Sequence, residues 1–291
     1  MAVYDCFMFY NELDMLEIRL NVLKDYVDFF VITESNRTHT GLPKPFNLAD
    51  NYERFSAFHH KIIYLKLDND NLAEGAAKNP WILENYQRLQ LMQGLSDASQ
   101  NDTILLSDLD EIPNPDVIGS FSEANNYGIC MQQHHNYYLN FLQIAPKPKS
   151  EELKNLWYSL NGYSRKPFTK YPAWLGTCIF KKQFLEKYTL QDLRNISRAK
   201  RIKGKYIPNG GWHFSYMGDI NFITKKLASY AHAEYNTNAI NSETYIKARI
   251  AAGQSLFDEV SKFELIAPDS ELLPAWLREN YKSYPHLIAN K

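Results

Sequence analysis

The sequence predicts an α/β fold built on a mostly parallel sheet, with a mixed C-terminal half. Three observations lead to this prediction. Apolar runs of strand length alternate with helical patterns through the first half, which is typical of βαβ units. These runs are continuously apolar, as expected of buried strands. The chain has 291 residues, 45% of them hydrophobic, which is enough for one large core.

Four buried strands are predicted in the first half, at residues 3–9, 27–33, 62–67 and 103–107. A helix is expected after Asn11 as its cap, because Leu13, Leu16, Leu20 and Leu23 share one helical face. A second helix is predicted over 81–95, and polar loops over 34–46 and 68–80. Right-handed crossovers then place the carboxyl ends of all four strands at one edge of the sheet.

The second half is less regular. A long strand or hairpin is expected over 127–141, a break at 146–149 and a surface loop over 163–175. Residues 210–215 are expected to form a glycine-led turn, and Asp219 is expected to cap a helix over 220–231. A last helix is predicted over 243–252, and prolines from residue 263 onward indicate a tail laid over the body.

Composition excludes several classes of partner. The formal net charge of −1 gives no basic field for nucleic acid or an anionic membrane. No apolar run approaches the roughly 20 residues of a membrane helix, and the first residues lack the pattern of a signal peptide. Cys6, Cys130 and Cys178 are isolated, so buried free thiols are expected. We therefore expect a cytoplasmic protein.

The most informative segment runs from Ile104 to Pro113, where a buried strand ends in three acidic residues. Asp108 and Asp110 share one face of an extended segment, because side chains alternate with period two. A hard divalent cation such as Mg²⁺ or Mn²⁺ relieves the repulsion between such carboxylates and commonly binds substrate phosphates. The alternative is a solvated strand end with a helix cap. Glu111 is expected to hold the loop.

Five short segments occur in a characteristic order, at residues 5–14, 34–45, 84–88, 107–113 and 211–215. This set resembles glycosyltransferase family 17, known for bisecting β-1,4-N-acetylglucosaminyltransferases, over about residues 4–235. The resemblance implies a GT-A-like fold, a UDP-sugar donor, a divalent cation and inversion at the anomeric carbon. The expected reaction is transfer of N-acetylglucosamine from UDP-N-acetylglucosamine to a glycan acceptor in β linkage.

On this interpretation residues 1–262 form one glycosyltransferase domain, followed by a C-terminal tail over 263–291. The donor-binding half covers about 1–120 and the acceptor half about 121–262. The chain as written has no counterpart of the animal enzymes' membrane anchor and stem, which agrees with the cytoplasmic expectation.

Each expected role has named candidates. The metal ligands are Asp108, Asp110 and His213, and the catalytic base is Asp219 or its rival Glu34. The candidates for binding the donor are Asp108, Arg37, His39, Lys44, Asn85 and Arg88. Tyr171 and Trp174 are candidate platforms for the acceptor. His134 and His135 should point to opposite faces of a strand, which argues against a joint metal site.

Two other functions remain open at this point. A strand ending in Asp-x-Asp also marks phosphatases that use the first aspartate, here Asp108, as a nucleophile. Those enzymes usually carry the motif on their first strand, whereas here it follows the fourth. The other alternative is a non-catalytic glycan-binding protein built from the many aromatic side chains, 14% of the chain.

Overall fold

One mixed sheet forms the centre of the protein. The computed structural model describes residues 1–121, 127–144, 171–199, 205–258 and 260–290. Within these ranges the sheet has ten strands: β1 Val3–Phe9, β2 Phe29–Ser35, β3 Ile62–Leu67, β4 Thr103–Leu106, β5 Glu111–Pro113, β6 Tyr127–Asn136, β7 Phe141–Ile144, β8 Ala173–Lys181, β9 Lys205–Ser215 and β10 Lys262–Leu265.

The strand order is β10-β7-β6-β8-β4-β1-β2-β3, and β9 lies beside β6 and β5. The strands β3, β2, β1 and β4 are all parallel, so their carboxyl ends lie at one edge. From β8 onward the pairing is mixed: β8 is antiparallel to both β4 and β6, whereas β9 is parallel to β6. The predicted α/β fold with a parallel first half and a mixed second half is confirmed.

Helices cover the sheet. Those of the described chain span Leu13–Leu23, Asn47–Asp50, Ala73–Lys78, Trp81–Gln90, Pro115–Ser120, Leu190–Ala199, Ile220–Ser229, Glu243–Ala251 and Ala275–Asn280. None of them has the length and apolar character that crossing a membrane requires. Leu16 and Leu20 of the first helix are fully buried, and Leu273, Leu277 and Leu287 near the C-terminus join the same core cluster.

Several local predictions need correction. The predicted helix 81–95 is α-helical only over Trp81–Gln90 and continues as a 3₁₀-helix over Leu91–Leu95. The predicted loop 68–80 contains the helix Ala73–Lys78. The first helix is capped at Glu12 without a side-chain bond, so the expected Asn11 cap is wrong. Helix Ile220–Ser229 is two residues shorter than predicted.

The largest corrections concern two segments predicted to be irregular. Residues 173–175 begin the strand β8, and the glycine-led turn is part of the strand β9. Both strands are defined by pairing with partners distant in the sequence, which local composition does not reveal. Residues 146–149 and 163–170 lie outside the described residues. Cys6, Cys130 and Cys178 are buried and free, as expected.

Candidate active site

A cavity of about 470 Å³ lies at the edge of the sheet where β1 and β4 end. The lining comes from both halves of the described chain. It includes Met8, Phe9, Glu12, Arg37, His39, Lys44, Trp81, Glu84, Asp108, Asp110, His134, Trp174, His213, Tyr216, Lys226, Tyr230, His232, Tyr235 and Phe257. This is the edge where α/β sheets bind ligands.

The buried side chain of Arg19 binds the loop that carries Asp108 and Asp110. Arg19 Nη1 donates to the backbone carbonyls of Asp108, Leu109 and Glu111 at 2.9–3.0 Å. Its Nε and Nη2 donate to the two carboxylate oxygens of Asp5 at 2.8 and 2.6 Å. Backbone carbonyls between β4 and the start of β5 are thereby satisfied by a buried side chain, which anchors the loop.

Two further arginines fix the side chain of Asp108. Arg194 Nη2 donates to Asp108 Oδ2 at 2.8 Å and to Glu111 Oε1 at 2.7 Å. Arg88 Nη2 lies 3.3 Å from Asp108 Oδ1. Glu111 is buried and also accepts a hydrogen bond from Trp174 Nε1 at 2.8 Å, which supports its expected role in holding the loop.

Asp110 faces the cavity between two basic side chains. Lys226 Nζ lies 3.1 Å from Asp110 Oδ2 and 3.3 Å from Glu12 Oε1, and His213 Nε2 lies 3.6 Å from Asp110 Oδ1. Burial by itself would lower the pKa of Lys226, but the carboxylates of Asp110 and Glu12 raise it above the usual value. Lys226 is therefore a permanent cation in the cavity.

Two glycines of β9 allow His213 to lie beside Asp110. At Gly211, φ is +130°, and a Cβ would lie 2.1 Å from the carbonyl oxygen of Ile112. At Gly210 a Cβ would lie 2.6 Å from the Cβ of Cys130. Only glycine permits this approach of β9 to its neighbours. His213 consequently pairs with Glu111 across β5 and with His134 across β6.

The His213 ring is part of an aromatic stack. It lies 4.3 Å from Trp174 and 4.8 Å from His134, measured between ring centres. Burial lowers the pKa of His213, although Asp110 acts in the opposite direction. A neutral imidazole is the form that binds metals. His135 points away from the cavity and packs against Phe214, so the two adjacent histidines face opposite sides as expected.

The predicted metal site is only partly assembled. Among the described residues, no group of three His, Cys, Asp or Glu side chains is arranged to hold a metal ion. Asp108 contacts arginines, whereas Asp110 and His213 lie close together and are of types that a divalent cation accepts. A two-residue site suits a cation that takes its other ligands from substrate phosphates and water. Asp110 and His213 fit that requirement.

The predicted donor-binding residues divide into two groups. Arg37, His39 and Lys44 line the cavity. Arg37 is paired with Asp70, and Lys44 Nζ lies 2.9 Å from Glu34 Oε1, so part of their charge is already compensated. Burial lowers the pKa of His39 and of Lys44.

The helix Trp81–Gln90 carries the second group. Asn85 and Arg88 are not among the residues that line the cavity in the described part. Arg88 instead binds Asp108, Glu84 and Gln191, so it positions the Asp-x-Asp loop.

Neither predicted catalytic base faces the cavity among the described residues. Asp219 is exposed, and its Oδ1 accepts a hydrogen bond from Phe222 N at 2.7 Å, which makes it the N-cap of the helix Ile220–Ser229. Glu34 is fully buried; it binds Lys44, Tyr64 Oη at 2.5 Å and Leu48 N at 3.1 Å. Their side chains are committed to a cap and to a buried hydrogen-bond network.

The expected acceptor platforms are also placed differently. Trp174 lines the cavity, but its ring stacks on His213 and its indole nitrogen bonds Glu111. Tyr171 bonds Glu264 and is outside the cavity lining. The cavity lining also contains a cluster of rings, here called the aromatic wall, that the sequence did not single out: Trp81, Tyr230, His232, Tyr235 and Phe257.

Sequence reasoning missed Arg19, Arg194 and Lys226. A signal was present for two of them. Arg19 lies three residues after Leu16 on the apolar face of its helix, and Lys226 lies three residues after the buried Ile223. A charged side chain on an inward helical face requires a partner. Arg194 lies on a helix whose packing position against the sheet could not be derived from the sequence.

Comparison with known proteins gives one family. Residues 1–150 match the pattern described as Glycosyltransferase family 17. A mouse β-1,4-mannosyl-glycoprotein 4-β-N-acetylglucosaminyltransferase is 33% identical over 298 residues, covering 96% of this chain and 53% of the mouse protein. The human protein of that name is 34% identical over 114 residues, covering 37% of this chain and 21% of the human protein.

The chain therefore spans about half of the length of the mouse relative. Among solved structures, HddC from Yersinia pseudotuberculosis is 10% identical with a TM-score of 0.40, and the alignment covers 80% of this chain and 99% of HddC. That likeness is too low to support an argument about function.

Proposed function

The chain belongs to glycosyltransferase family 17, and we propose that it transfers N-acetylglucosamine from UDP-N-acetylglucosamine to a glycan acceptor, inverting the configuration to a β linkage. The relatives in mouse and human are named for the transfer of this sugar. One observation carries the proposal: the cavity at the strand ends brings Asp108, Asp110 and His213 from distant parts of the chain to one wall.

The diphosphate of the donor is proposed to bind at this wall. The leaving UDP gains negative charge as the bond to the sugar breaks, and fixed positive charge stabilises such a group. A divalent cation held by Asp110 and His213 would supply Lewis-acid stabilisation there. Asp108 is held by Arg88 and Arg194, so its proposed role is to fix the loop and to accept hydrogen bonds from the donor rather than to bind the cation.

The base of an inverting transfer has to reach the acceptor hydroxyl. Glu12 and Glu84 are carboxylates that line the cavity, whereas Asp219 and Glu34 do not. Glu12 is paired with Lys226 and Glu84 with Arg88. The proposed base is therefore one of the carboxylates that line the cavity.

The acceptor is proposed to lie against the aromatic wall. Trp81 and His232 meet edge to face with ring centres 4.9 Å apart, and Tyr235 lies 4.5 Å from Phe257. Aromatic faces pack against the apolar faces of sugars, and their polar edges bind hydroxyl groups. This wall replaces Tyr171 and Trp174 as the expected platform.

The proposal is tested by thermal unfolding with a panel of UDP- and GDP-sugars, each with Mn²⁺ and with EDTA. A ligand that binds the native state alone raises the unfolding temperature. We expect the largest increase with UDP-N-acetylglucosamine and Mn²⁺, followed by transfer to glycans in an acceptor screen. No increase with any nucleotide sugar would contradict the donor site. Hydrolysis of a phosphomonoester through Asp108, or glycan binding without nucleotide, would then identify the phosphatase or the glycan-binding alternative.

A further inference from the structure

Lys226 is a cation of the cavity to which the proposed reaction assigns no role. It lies in the last turn of the helix Ile220–Ser229, on the side of the helix that buries Ile223. Its ammonium group sits between Asp110 and Glu12, at 3.1 and 3.3 Å, and its side chain is 18% exposed. The exposed part faces the cavity, because Lys226 is one of the lining residues.

The position of Lys226 is fixed by its surroundings. The aromatic ring of Tyr216 lies beneath the ammonium group, with 5.4 Å between the nitrogen and the ring centre. An ammonium group has three N–H donors. Glu12 and Asp110 accept from two of these donors among the described residues. The third N–H is left for a group bound in the cavity. Holding a long flexible side chain in this way reduces the entropy that would be lost on binding a ligand.

The charges around the Asp-x-Asp loop are divided between separate cations. Asp108 contacts Arg88 and Arg194, which lie outside the cavity lining of the described part. Asp110 contacts Lys226, which lies in the lining. Arg37 and Lys44, which also line the cavity, are paired with Asp70 and Glu34. Lys226 thus supplies the ammonium group that contacts Asp110, beside the imidazole of His213.

We propose that the Lys226 ammonium binds the diphosphate of the nucleotide-sugar donor and stabilises the charge that develops on it during transfer. In that step the bond between the anomeric carbon and the diphosphate oxygen breaks, and its electron pair stays on the oxygen. The acceptor oxygen forms the new bond to the anomeric carbon, and its proton passes to a cavity base. Lys226 binds an oxygen of the departing diphosphate, where a compact ammonium acts as a point charge. Glu12 is the positioning residue that holds Lys226 in reach.

This inference rests on the proposed function, since the nucleotide sugar is its ligand. It also has a part that can be tested without a sugar. A diphosphate-binding lysine should recognise inorganic pyrophosphate and UDP, but it should not affect the binding of uridine, which lacks phosphate. The helix offers a matched control, because Lys225 is the adjacent lysine and is exposed to solvent.

The experiment is calorimetric titration of the intact chain with inorganic pyrophosphate, UDP and uridine, in EDTA and in Mn²⁺. We expect Lys226→Met to weaken pyrophosphate and UDP by about 10- to 100-fold and to leave uridine unchanged. Lys226→Arg should restore part of the affinity, and Lys225→Met should bind all three like the parent. Circular dichroism establishes folding. If Lys226→Met does not fold, the double variant Glu12→Gln, Lys226→Met is used in its place. It removes one positive and one negative charge.

The outcomes separate the two proposals. Unchanged pyrophosphate and UDP affinity in the Lys226 variants would overturn the role of Lys226 while the donor site stands. Lys226-dependent binding of pyrophosphate without any binding of UDP or UDP-sugars would retain Lys226 as a diphosphate ligand and contradict the proposed donor. A parent chain that binds none of the three ligands would contradict both.

Discussion

Arg19 donates two hydrogen bonds to the carboxylate of Asp5, and neither side chain is exposed to solvent. The same guanidinium holds three backbone carbonyls of the loop that carries Asp108 and Asp110. The pair thus connects the first strand and first helix to the cavity wall. A buried arginine with this many acceptors is a positioning residue whose loss affects both folding and the site.

Arg19→Met is expected to lower the free energy of unfolding by about 3–5 kcal/mol, because it leaves the Asp5 carboxylate buried without its counter-ion. Urea denaturation measures this change. Asp5→Asn combined with Arg19→Met should recover part of the loss, since no uncompensated charge remains. Lys78→Met, in the exposed pair with Glu74, is the control. Equal stability of the single and double variants would contradict an electrostatic origin.

Asp110→Asn is expected to reduce the rate of transfer by about 10²- to 10³-fold, because the variant loses the charge shared by Lys226, His213 and the proposed cation. Initial rates with UDP-N-acetylglucosamine measure the loss, and the thermal unfolding curve should still show a folded protein. Asp97→Asn, at an exposed aspartate, is the matched control. A folded Asp110→Asn variant with normal turnover would remove Asp110 from the proposed chemistry.

Asp219→Ser is expected to retain both stability and turnover, because serine also caps helices. Asp219→Ala should lower the free energy of unfolding by about 1 kcal/mol through loss of the bond to Phe222 N, again without a change in turnover. Parallel unfolding and rate measurements distinguish the two effects. A stable serine variant that lost turnover would restore Asp219 as the base.

The protein is expected to lose stability as the pH falls below about 6.5. Burial lowers the pKa of His135 to about 3, so the unfolded chain binds a proton in this range that the native chain does not. Stability then rises with pH, with a contribution of up to about 1.4 kcal/mol per pH unit from one such histidine. Unfolding free energies between pH 4 and 7, a window of about three units chosen from these pKa values, measure the slope.

His135→Leu should make that slope smaller, because the leucine side chain takes up no proton in either state. His60→Gln, at an exposed position, should leave the slope unchanged. An unchanged slope in the His135 variant would show that other groups cause the acid sensitivity.

The local pattern of the sequence determined much of the first half of the fold. The apolar runs at Val3–Phe9 and Ile62–Leu67 are strands with the predicted bounds, and the Leu13–Leu23 helix follows from its leucine spacing. Parallel pairing of these strands places the Asp-x-Asp segment at the sheet edge, as the order of elements predicts. These features depend on short-range periodicity, which one sequence contains.

The tertiary structure decided the partners of each charge. Asp108 and Asp110 are separated by one residue in the sequence, yet Asp108 binds Arg194 and Asp110 binds Lys226, which lie 86 and 116 residues away. Asp219 and Glu34 are plausible bases by type, but a backbone N–H and a buried lysine occupy them. The energy of a charge depends on which groups folding brings within a few ångströms of it, and those distances arise from pairing between distant strands.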